Sequence, residues 1–579
     1  MDVRKYLALR PAPHALFDAL DAHRDRPRFV VTEGGAERTV TFGAVADEVR
    51  DVALFLAADG HAPGFRGAVF AHNRVEWMSA ALGVQTASGV MVPIYASSTA
   101  EQAAYVLSHS DASVVFVDGE PLLRRVLSAL PSLPALVRIV LMDAGLDAGR
   151  ALASMRASGL ATPSDAEVEG KVLGWAEARR LGHAVHAADP DALARLISSI
   201  SLDAPGLMLY TSGTSGPPKG VPLTHRNVGV NGRDWLQVLS PLLEEGMTDL
   251  LWLPMSHVFG FGEACIGNTL GWTSHLADPA TALQRLPVVK PSVFMSVPVL
   301  WEKLAQAAMG GADAAARAGL LAAVTGGNLR FCLSGGAGLK QEVKALFLEA
   351  GALIIEGYGL TEASPTLTMN RPDAYRFDSV GKPFPSVQLR LADDGEILAK
   401  GESIFLGYHK DAAATAEAFT DDGWLKTGDV GVFTDDGFLR IVDRKKDILV
   451  TAGGKNVPPA NLEQRFADDP LFQHVVVYGD AKKFLVAGVW LNPPAVQAEL
   501  ERAAPGTTAE ALVAARIDAV NTSLASYETI KRFALMEPAL SVEAGHLTPT
   551  LKVKRKAVTT AFRAHFEALY ETPGPRGGA

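Results

Sequence analysis

The stretch Tyr210-Thr-Ser-Gly-Thr-Ser-Gly-Pro-Pro-Lys-Gly220 decides the fold, and it follows the apolar run Gly206–Leu209. The run is typical of a buried strand, and the glycines after it let the backbone turn sharply and bring N–H groups close to an anion. The hydroxyls and Lys219 add side-chain donors, so the loop is suited to phosphate oxygens. It lacks the G-x-x-x-x-G-K-[ST] spacing. The alternative, a flexible Gly/Ser linker, is disfavoured by the lysine and the paired prolines.

The segments before this loop alternate between helical and strand patterns. Phe42–Asp59 and Val75–Thr86 repeat apolar residues at helical spacing, whereas Gly67–Ala71, Val90–Ile94 and Ser113–Val117 are short apolar runs. This βαβ alternation predicts an α/β fold with parallel-type sheets covered by helices.

Length and composition restrict the function classes. The chain has 579 residues, too many for one core, with 48% hydrophobic and 20% charged residues. A net charge of −10 disfavours nucleic acid as a partner. Cys265 and Cys332 lie in apolar or glycine-rich surroundings, which indicates a reducing compartment. The N-terminus lacks a signal-peptide pattern, so we expect a cytoplasmic protein.

Several regions give weaker signals. Met78–Ala100 is uncharged but contains polar residues, so we interpret it as buried helix and strand rather than a membrane span. Peripheral membrane contact and oligomeric state stay open. Ala144–Pro190 is Ala- and Gly-rich and less periodic, and we expect a surface connection there. Thr572–Ala579 is Pro/Gly-rich and predicted to be disordered.

Further polar motifs follow the loop. Leu251–Gly262 contains His257, which by itself can equally be a functional residue or a core histidine beside a turn. Leu329–Gly338 predicts a strand running into a glycine turn. Ile354–Glu362 offers the Tyr358 ring for stacking and the Glu362 carboxylate as a hard ligand for Mg²⁺.

The last motifs lie nearer the C-terminus. Asp429, in Trp424–Asp429, can accept two hydroxyl hydrogens, as a ribose diol requires, or can be an ordinary turn residue. Arg440–Asp447 is a charge run between apolar segments, and Ile448–Ala460 and Gly545–Lys556 carry glycines and lysines.

In combination these motifs resemble the adenylate-forming (AMP-binding) superfamily, which includes acyl-CoA synthetases, luciferases and peptide-synthetase adenylation domains. The forms Thr451–Val457 and Leu547–Lys552 are similar to those of long-chain fatty acyl-CoA synthetases. The resemblance implies a large α/β domain over residues 1–445 and a small mobile α+β domain over residues 446–579. It implies ATP, Mg²⁺ and CoA as cofactors.

The resemblance also assigns roles to individual residues. It implies Lys552, Glu362, Thr211 and His257 as catalytic residues, with Lys554 as the rival lysine, Thr211 and Glu362 as metal ligands, and Lys446 as the hinge. The residues that it places on nucleotide, acyl group or CoA are Ser212, Gly213, Thr214, Ser215, Gly216, Lys219, Gly335, Gly336, Ala337, Tyr358, Gly359, Thr361, Asp429, Arg444, Gly453 and Gly454.

The reaction implied is attack of a carboxylate on the α-phosphorus of ATP, giving acyl-AMP, followed by transfer to CoA. A medium- or long-chain fatty acid is the expected substrate. Gly260, Gly262, Gly335 and Gly336 could leave a tunnel open for its tail. Two alternatives remain, namely a ligase that loads a carrier protein and a non-catalytic acyl or nucleotide binder.

Overall fold

The computed structural model describes residues 1–211, 217–453, 455–467, 469–548 and 552–571. The predicted disorder of Thr572–Ala579 concerns residues outside these ranges. Two large sheets form the N-terminal part of the chain, as the βαβ alternation predicts.

The first large sheet has nine strands and is parallel in its centre, with antiparallel strands at both edges. In spatial order its strands are β16 (Lys382–Pro383), β15 (Thr366–Met369), β14 (Ile354–Gly359), β13 (Phe331–Ser334), β12 (Val293–Ser296), β10 (Thr248–Leu251), β11 (Thr273–Leu276), β1 (Pro27–Glu33) and β2 (Ala36–Thr41).

The second large sheet has seven strands and is parallel except for its last pair. Its strands are β7 (Val172–Gly174), β6 (Arg138–Leu141), β5 (Ala112–Val117), β3 (Arg66–Phe70), β4 (Val90–Ile94), β8 (Pro205–Thr211) and β9 (Lys219–Thr224). All five residues of β4 are buried, as expected for an interior parallel strand covered on both faces.

Three smaller sheets follow. Their strands are the antiparallel set β17 (Val387–Leu391), β18 (Glu396–Gly401), β19 (Leu425–Phe433) and β20 (Leu439–Arg444), the pair β21 (Leu449–Val450) and β22 (Asn456–Val457), and the mixed set β23 (Phe472–Tyr478), β24 (Leu485–Leu491) and β25 (Ile530–Leu535).

Helices cover the two large sheets. The N-terminal helices are α1 (Ala12–Asp18), α2 (Leu20–His23), α3 (Phe42–Ala58), α4 (Val75–Thr86), α5 (Ala100–His109), α6 (Glu120–Ala129), α7 (Ala148–Ala157), α8 (Asp165–Val168), α9 (Trp175–Ala188), α10 (Ala192–Ser199), α11 (His225–Leu239), α12 (Val258–Leu270), α13 (Ala282–Val289), α14 (Pro298–Ala308), α15 (Ala314–Thr325), α16 (Gln341–Glu349) and α17 (Ala412–Ala418).

The remaining helices lie in the C-terminal part or are short 3₁₀ turns. They are α18 (Pro459–Glu463), α19 (Pro493–Arg502), α20 (Ala509–Asn521), α21 (Arg555–Ala561) and α22 (Arg563–Glu571), with 3₁₀ turns at Arg4–Tyr6, Leu130–Ser132, Thr361–Ala363 and Gln464–Phe466. None of the helices in the described ranges is both long and apolar enough to cross a membrane.

The hydrophobic cores divide the chain into a large N-terminal α/β domain and a smaller C-terminal domain. The two cores of the C-terminal part draw all their buried members from Leu449 onwards, and the N-terminal cores draw theirs from before it.

One prediction from the sequence about secondary structure is wrong. Ala144–Pro190 is not a surface connection without structure, because it contains α7, α8, β7 and α9. The small residues of α9 explain the missing signal. Gly182 lies so close to α3 that a Cβ atom there would be 1.7 Å from the carbonyl oxygen of Asp51. Small residues that permit close helix packing leave no periodic pattern of large apolar side chains.

Candidate active site

A buried carboxylate organises one side of the site. Asp429 lies on β19, is 4% exposed, and pairs in register with Arg444 on β20. Its Oδ1 accepts from Arg444 Nε at 2.8 Å, and its Oδ2 accepts from the Tyr358 hydroxyl at 2.7 Å. Burial raises the pKa of Asp429, and the Arg444 guanidinium opposes this rise. A carboxylate has further lone pairs, so Asp429 can still accept hydroxyl hydrogens from a sugar.

Lys552 reaches this side of the site from the C-terminal domain. Its ammonium donates to the carbonyl of Gly336, in the turn after β13. Loss of water around the ammonium, together with the nearby Arg444 cation, lowers the pKa of Lys552, and the Asp429 carboxylate opposes this shift. Lys552, Asp429 and Arg444 therefore act on one another electrostatically, although they are far apart in sequence.

His257 lies at the start of α12, next to the same turn. Its Nδ1 accepts from the backbone N–H of Phe259 at 3.1 Å, so it caps the helix. This bond leaves Nε2 as the protonated nitrogen of the neutral ring. Burial lowers the pKa of His257 to about 4, with the Lys552 cation as the second cause. His257 is therefore a neutral hydrogen-bond donor at neutral pH.

The predicted phosphate loop joins β8 to β9. Ser212, Gly213, Thr214, Ser215 and Gly216 lie outside the described residues. The strand ends on either side are described, and Thr211 pairs with Lys219 across the hairpin. Helix α5 holds both sides of this hairpin, because the Tyr105 hydroxyl donates to the Pro218 carbonyl at 3.0 Å and His109 Nδ1 lies 2.9 Å from the Tyr210 hydroxyl.

Glu362 lies in the 3₁₀ turn Thr361–Ala363 and faces the same hairpin. Its Oε1 accepts from the Tyr408 hydroxyl at 2.9 Å. The Lys219 ammonium lies 4.6 Å from the centre of the Tyr408 ring. Tyr408 therefore connects the predicted metal ligand to the predicted phosphate-binding lysine.

The donor set around Glu362 fits Mg²⁺. The part of the chain that the structure describes has no cluster of three or more His, Cys, Asp or Glu side chains that could hold an ion by itself. Mg²⁺ usually binds one or two carboxylates together with substrate phosphates, so a larger protein cage is not needed. The Glu362 carboxylate and the Thr211 hydroxyl, in the 3₁₀ turn and at the end of β8, are hard oxygen groups of the kind that could hold Mg²⁺.

Two backbone features shape the site beside Tyr358 and Lys552. Gly336 adopts a φ of +87°, which favours glycine, and Ala337 is exposed beside it. Gly359 ends β14, where a Cβ atom would lie 1.9 Å from the Pro365 carbonyl oxygen. Thr361 is half-buried in the next turn. Gly336 leaves the backbone open beside Lys552, and Gly359 permits close packing of β14 against Pro365.

A buried ion pair stabilises the turn that carries Gly336. Glu356 on β14 accepts from the backbone N–H of Leu339 at 2.8 Å and from the Lys344 ammonium at 2.6 Å. Burial raises the pKa of Glu356, and Lys344 opposes the rise. Glu356 thus links α16 to the end of the turn that carries Gly336.

Lys446 lies in an exposed turn between β20 and β21. The turn is closed by the Arg444 carbonyl, which accepts from the N–H groups of Asp447 and Ile448. Just before it, the Lys445 ammonium is 2.7 Å from Glu396 on β18. Gly453 is exposed after β21, and Gly454 lies outside the described residues.

Three residues that make contacts in this site were not predicted from the sequence. Tyr408 lies in an irregular loop after β18. Glu356 and Lys445 belong to motifs that were recognised, but their partners, Lys344 and Glu396, lie elsewhere in the chain. A buried position two residues before Tyr358 gives a weak signal for Glu356, and the other two contacts depend on tertiary structure.

Family models match both domains of the chain. The model described as AMP-binding enzyme matches residues 16–409, and the AMP-binding enzyme C-terminal domain matches residues 446–573.

Relatives in other organisms match the chain along nearly its whole length. The Mycobacterium bovis long-chain-fatty-acid–CoA ligase FadD15 is 34% identical over 94% of this chain and 95% of its own length. Mouse long-chain-fatty-acid–CoA ligase ACSBG2 is 26% identical over 94% of this chain and 90% of its own.

Solved structures share the fold. The anthranilate CoA ligase AuaEII in complex with anthranoyl-AMP has a TM-score of 0.77 at 22% identity, covering 97% of this chain and 99% of its own. The A domain of carboxylic acid reductase from Segniliparus rugosus has a TM-score of 0.78 at 21% identity, and the match covers 97% of this chain and 94% of that domain's chain. The extent of these matches establishes that the chain belongs to the AMP-binding enzyme family.

Proposed function

We propose that this protein is an acid–CoA ligase that uses ATP to activate a medium- or long-chain fatty acid, and that it forms acyl-AMP before the CoA thioester. The observation that carries the proposal is the convergence of Lys552, from the C-terminal domain, with Asp429 and Arg444 at the Gly336 turn. The mycobacterial and mouse relatives, both named long-chain-fatty-acid–CoA ligases, support the acid class.

In the first step the fatty acid carboxylate attacks the α-phosphorus of ATP and pyrophosphate leaves. Asp429 would accept the ribose hydroxyls, and Tyr358 would offer its ring to the adenine. The Lys552 ammonium would stabilise the negative charge that builds up between the carboxylate oxygen and the phosphorus. His257, neutral with a protonated Nε2, would donate to the carboxylate or the phosphate without adding charge.

The hairpin between Thr211 and Lys219 would hold the β- and γ-phosphates. Glu362 and Thr211 would hold Mg²⁺, which neutralises phosphate charge when bound. Tyr408 keeps the Glu362 carboxylate in place through its 2.9 Å hydrogen bond.

In the second step the CoA thiol attacks the acyl carbon and AMP leaves. We place the domain boundary at residues 445/446 and the hinge at Lys446. The anchoring of Lys445 to Glu396 and the exposure of Lys446 support this position. Rotation there would withdraw Lys552 and bring Gly453 and Gly454 toward the site, where small residues admit the pantetheine arm.

An ATP-dependent thioester assay with acids from acetate to oleate tests the proposal. We expect kcat/KM to rise with chain length above acetate and benzoate, because each buried methylene adds about 0.8 kcal/mol of binding. A preference for acetate or an aromatic acid would contradict the acid class. Acylation of a phosphopantetheinylated carrier protein without acylation of CoA would identify the acceptor as a carrier. Absence of acid-dependent ATP–pyrophosphate exchange would indicate a non-catalytic binder.

A further inference from the structure

A cavity of about 120 Å³ lies between α11 and α12. A water-sized sphere occupies about 10–15 Å³, so the cavity has room for several such spheres. Its walls are mostly apolar, and they include Leu207, Val228, Leu236, Phe261 and Ile266. A flexible apolar chain is therefore the kind of ligand that this cavity fits.

The cavity reaches the candidate active site at Phe259. Phe259 lines it, and a Cβ atom at Gly335 would lie 3.0 Å from the Phe259 ring. The Trp235 ring stands edge-on to Phe259 with centroids 6.4 Å apart, and its Nε1 donates to Thr366 at 2.9 Å. The cavity thus begins beside the glycine turn to which the Lys552 ammonium donates.

The length of the cavity can be estimated from α12. Lining residues Phe259 and Thr269 lie ten positions apart on this helix, which corresponds to about 15 Å at about 1.5 Å per residue. An extended alkyl chain advances about 1.25 Å per carbon, from a bond length of about 1.52 Å and an angle of about 111°. The cavity therefore accommodates roughly twelve carbons.

The N-terminal segment Tyr6–Ala15 lies across the far part of the cavity. Tyr6, Arg10 and Ala15 line it, and the Arg10 carbonyl lies 3.4 Å from the position of a Cβ atom on Gly229 of α11. The Arg10 guanidinium forms an ion pair with Asp18 of α1, in which Arg10 Nη1 lies 2.6 Å from Asp18 Oδ2. The segment is thus packed against one cavity wall and held by an ion pair.

Polar groups mark the same end. Gln85 lines the cavity, and its buried Oε1 has no hydrogen-bond partner among the described residues. His225 lines it as well, and burial lowers the pKa of this ring to about 4. A methylene group cannot donate a hydrogen bond to the unpaired amide oxygen of Gln85, so burial of a tail against it leaves this oxygen without a partner. The environment that favours an apolar tail therefore ends at this point.

We infer that the segment Tyr6–Ala15 closes the distal end of the acyl pocket and sets the longest tail that it holds, at roughly twelve carbons. This inference rests on the proposed function, because it takes the occupant of the cavity to be the fatty acid tail. It assigns substrate-length specificity to a segment that carries none of the motifs recognised in the sequence.

Two glycines provide a way to shorten the pocket. Gly232 of α11 and Gly262 of α12 both line the cavity, and a Cβ atom at either position would meet nothing within 4 Å. A side chain added there would enter open space. Gly260, which was also expected to keep a tunnel open, instead packs against the chain, since its Cβ would lie 2.4 Å from the Pro254 carbonyl oxygen.

The experiment measures kcat/KM for CoA-thioester formation with saturated acids of six to eighteen carbons. For the wild type we expect a rise of about fourfold per methylene that ends near twelve carbons. Arg10→Ala should move the end of the rise to longer acids by two or more carbons. Arg4→Ala is the matched control, because Arg4 lies two residues before this segment, has an exposed side chain and does not line the cavity.

Gly262→Leu and Gly232→Leu should lower the ratio of dodecanoate to hexanoate activity by roughly tenfold or more, since each displaced methylene counts about fourfold. Gly319→Leu is their control, because Gly319 is an exposed position of α15 with equally open surroundings. The control should keep the wild-type ratio.

An Arg10→Ala enzyme with the wild-type chain-length profile overturns the inference, whatever the glycine variants do. A wild-type enzyme that forms no thioester from any acid refutes the proposed function instead. The two failures are distinguishable because the second appears before any variant is made.

Discussion

Replacement of Lys552 by alanine should separate the two half-reactions. The ammonium that donates to the Gly336 carbonyl would be lost, and with it the cation that the C-terminal domain brings to the Asp429–Arg444 pair. Removal of one preorganised donor of developing negative charge typically costs about 3–4 kcal/mol, which corresponds to a factor of about 10²–10³ in rate. We expect acid-dependent ATP–pyrophosphate exchange to fall by this factor.

The second half-reaction should survive the same change. Supplied acyl-adenylate and CoA should still give thioester at a near-normal rate, because Lys552 is needed only while it faces the nucleotide. Lys554→Ala is the matched control, since Lys554 precedes α21 and its backbone N–H donates to the His546 carbonyl. Normal exchange in Lys552→Ala would refute the assignment, and loss of exchange in Lys554→Ala alone would show that the reactive lysine lies two residues later.

The pH dependence gives an independent check on Lys552. Burial and Arg444 lower its pKa, so the ammonium is lost on the alkaline side at a lower pH than that of a free lysine, which titrates near 10.4. Pyrophosphate exchange should therefore decline as the pH rises through this lowered pKa. Lys552→Arg, if active, should keep its activity to higher pH because a guanidinium stays charged.

Three further predictions concern other parts of the molecule. Glu362→Gln should abolish most pyrophosphate exchange at limiting Mg²⁺ with little change in Tm, and normal exchange would exclude Glu362 as the ligand. Lys446→Pro should restrict hinge rotation and reduce thioester formation more than adenylation, whereas equal losses would contradict a hinge. Burial lowers the pKa of His225 to about 4. As the pH falls below about 6.5, His225 takes up a proton in the unfolded chain but stays neutral in the folded chain. The free energy of unfolding therefore decreases as the pH falls from about 6.5 to about 4, by up to roughly 3 kcal/mol. Tm measured against pH should fall less steeply in His225→Leu.

The predictable parts of the fold are those in which burial requires apolar residues in continuous runs or at regular spacing. Val75–Thr86 and Val90–Ile94 were predicted with the bounds that the structure shows, because interior parallel strands and the helices that cover them need continuous or periodic apolar residues. Helix α9 was missed because it packs on α3 through small residues such as Gly182 and Ala178. Close packing through small residues does not require large apolar side chains at regular spacing, so the sequence shows no helical pattern there.

The site was predictable to the extent that its residues belong to contiguous motifs. Tyr358, Asp429, Arg444 and Lys552 were identified in this way, and the structure brings them together. The contact between Tyr408 and Glu362 could not be predicted, because it joins residues that are 46 positions apart and depends on how the loop after β18 folds back. The roles of all these residues remain predictions for the experiments above.

The position of Arg444 explains how one carboxylate could serve both half-reactions. Arg444 ends β20, two residues before the proposed hinge, so it would stay with Asp429 during the proposed rotation of the C-terminal domain. Lys552 lies beyond the hinge and would leave. The buried charge of Asp429 would thus keep its guanidinium partner in both states, and no unpaired carboxylate would oppose the rotation. An Arg444→Met variant tests this idea, because it removes the permanent partner. Impairment of thioester formation from supplied acyl-adenylate would support it, and a variant impaired only in adenylation would contradict it.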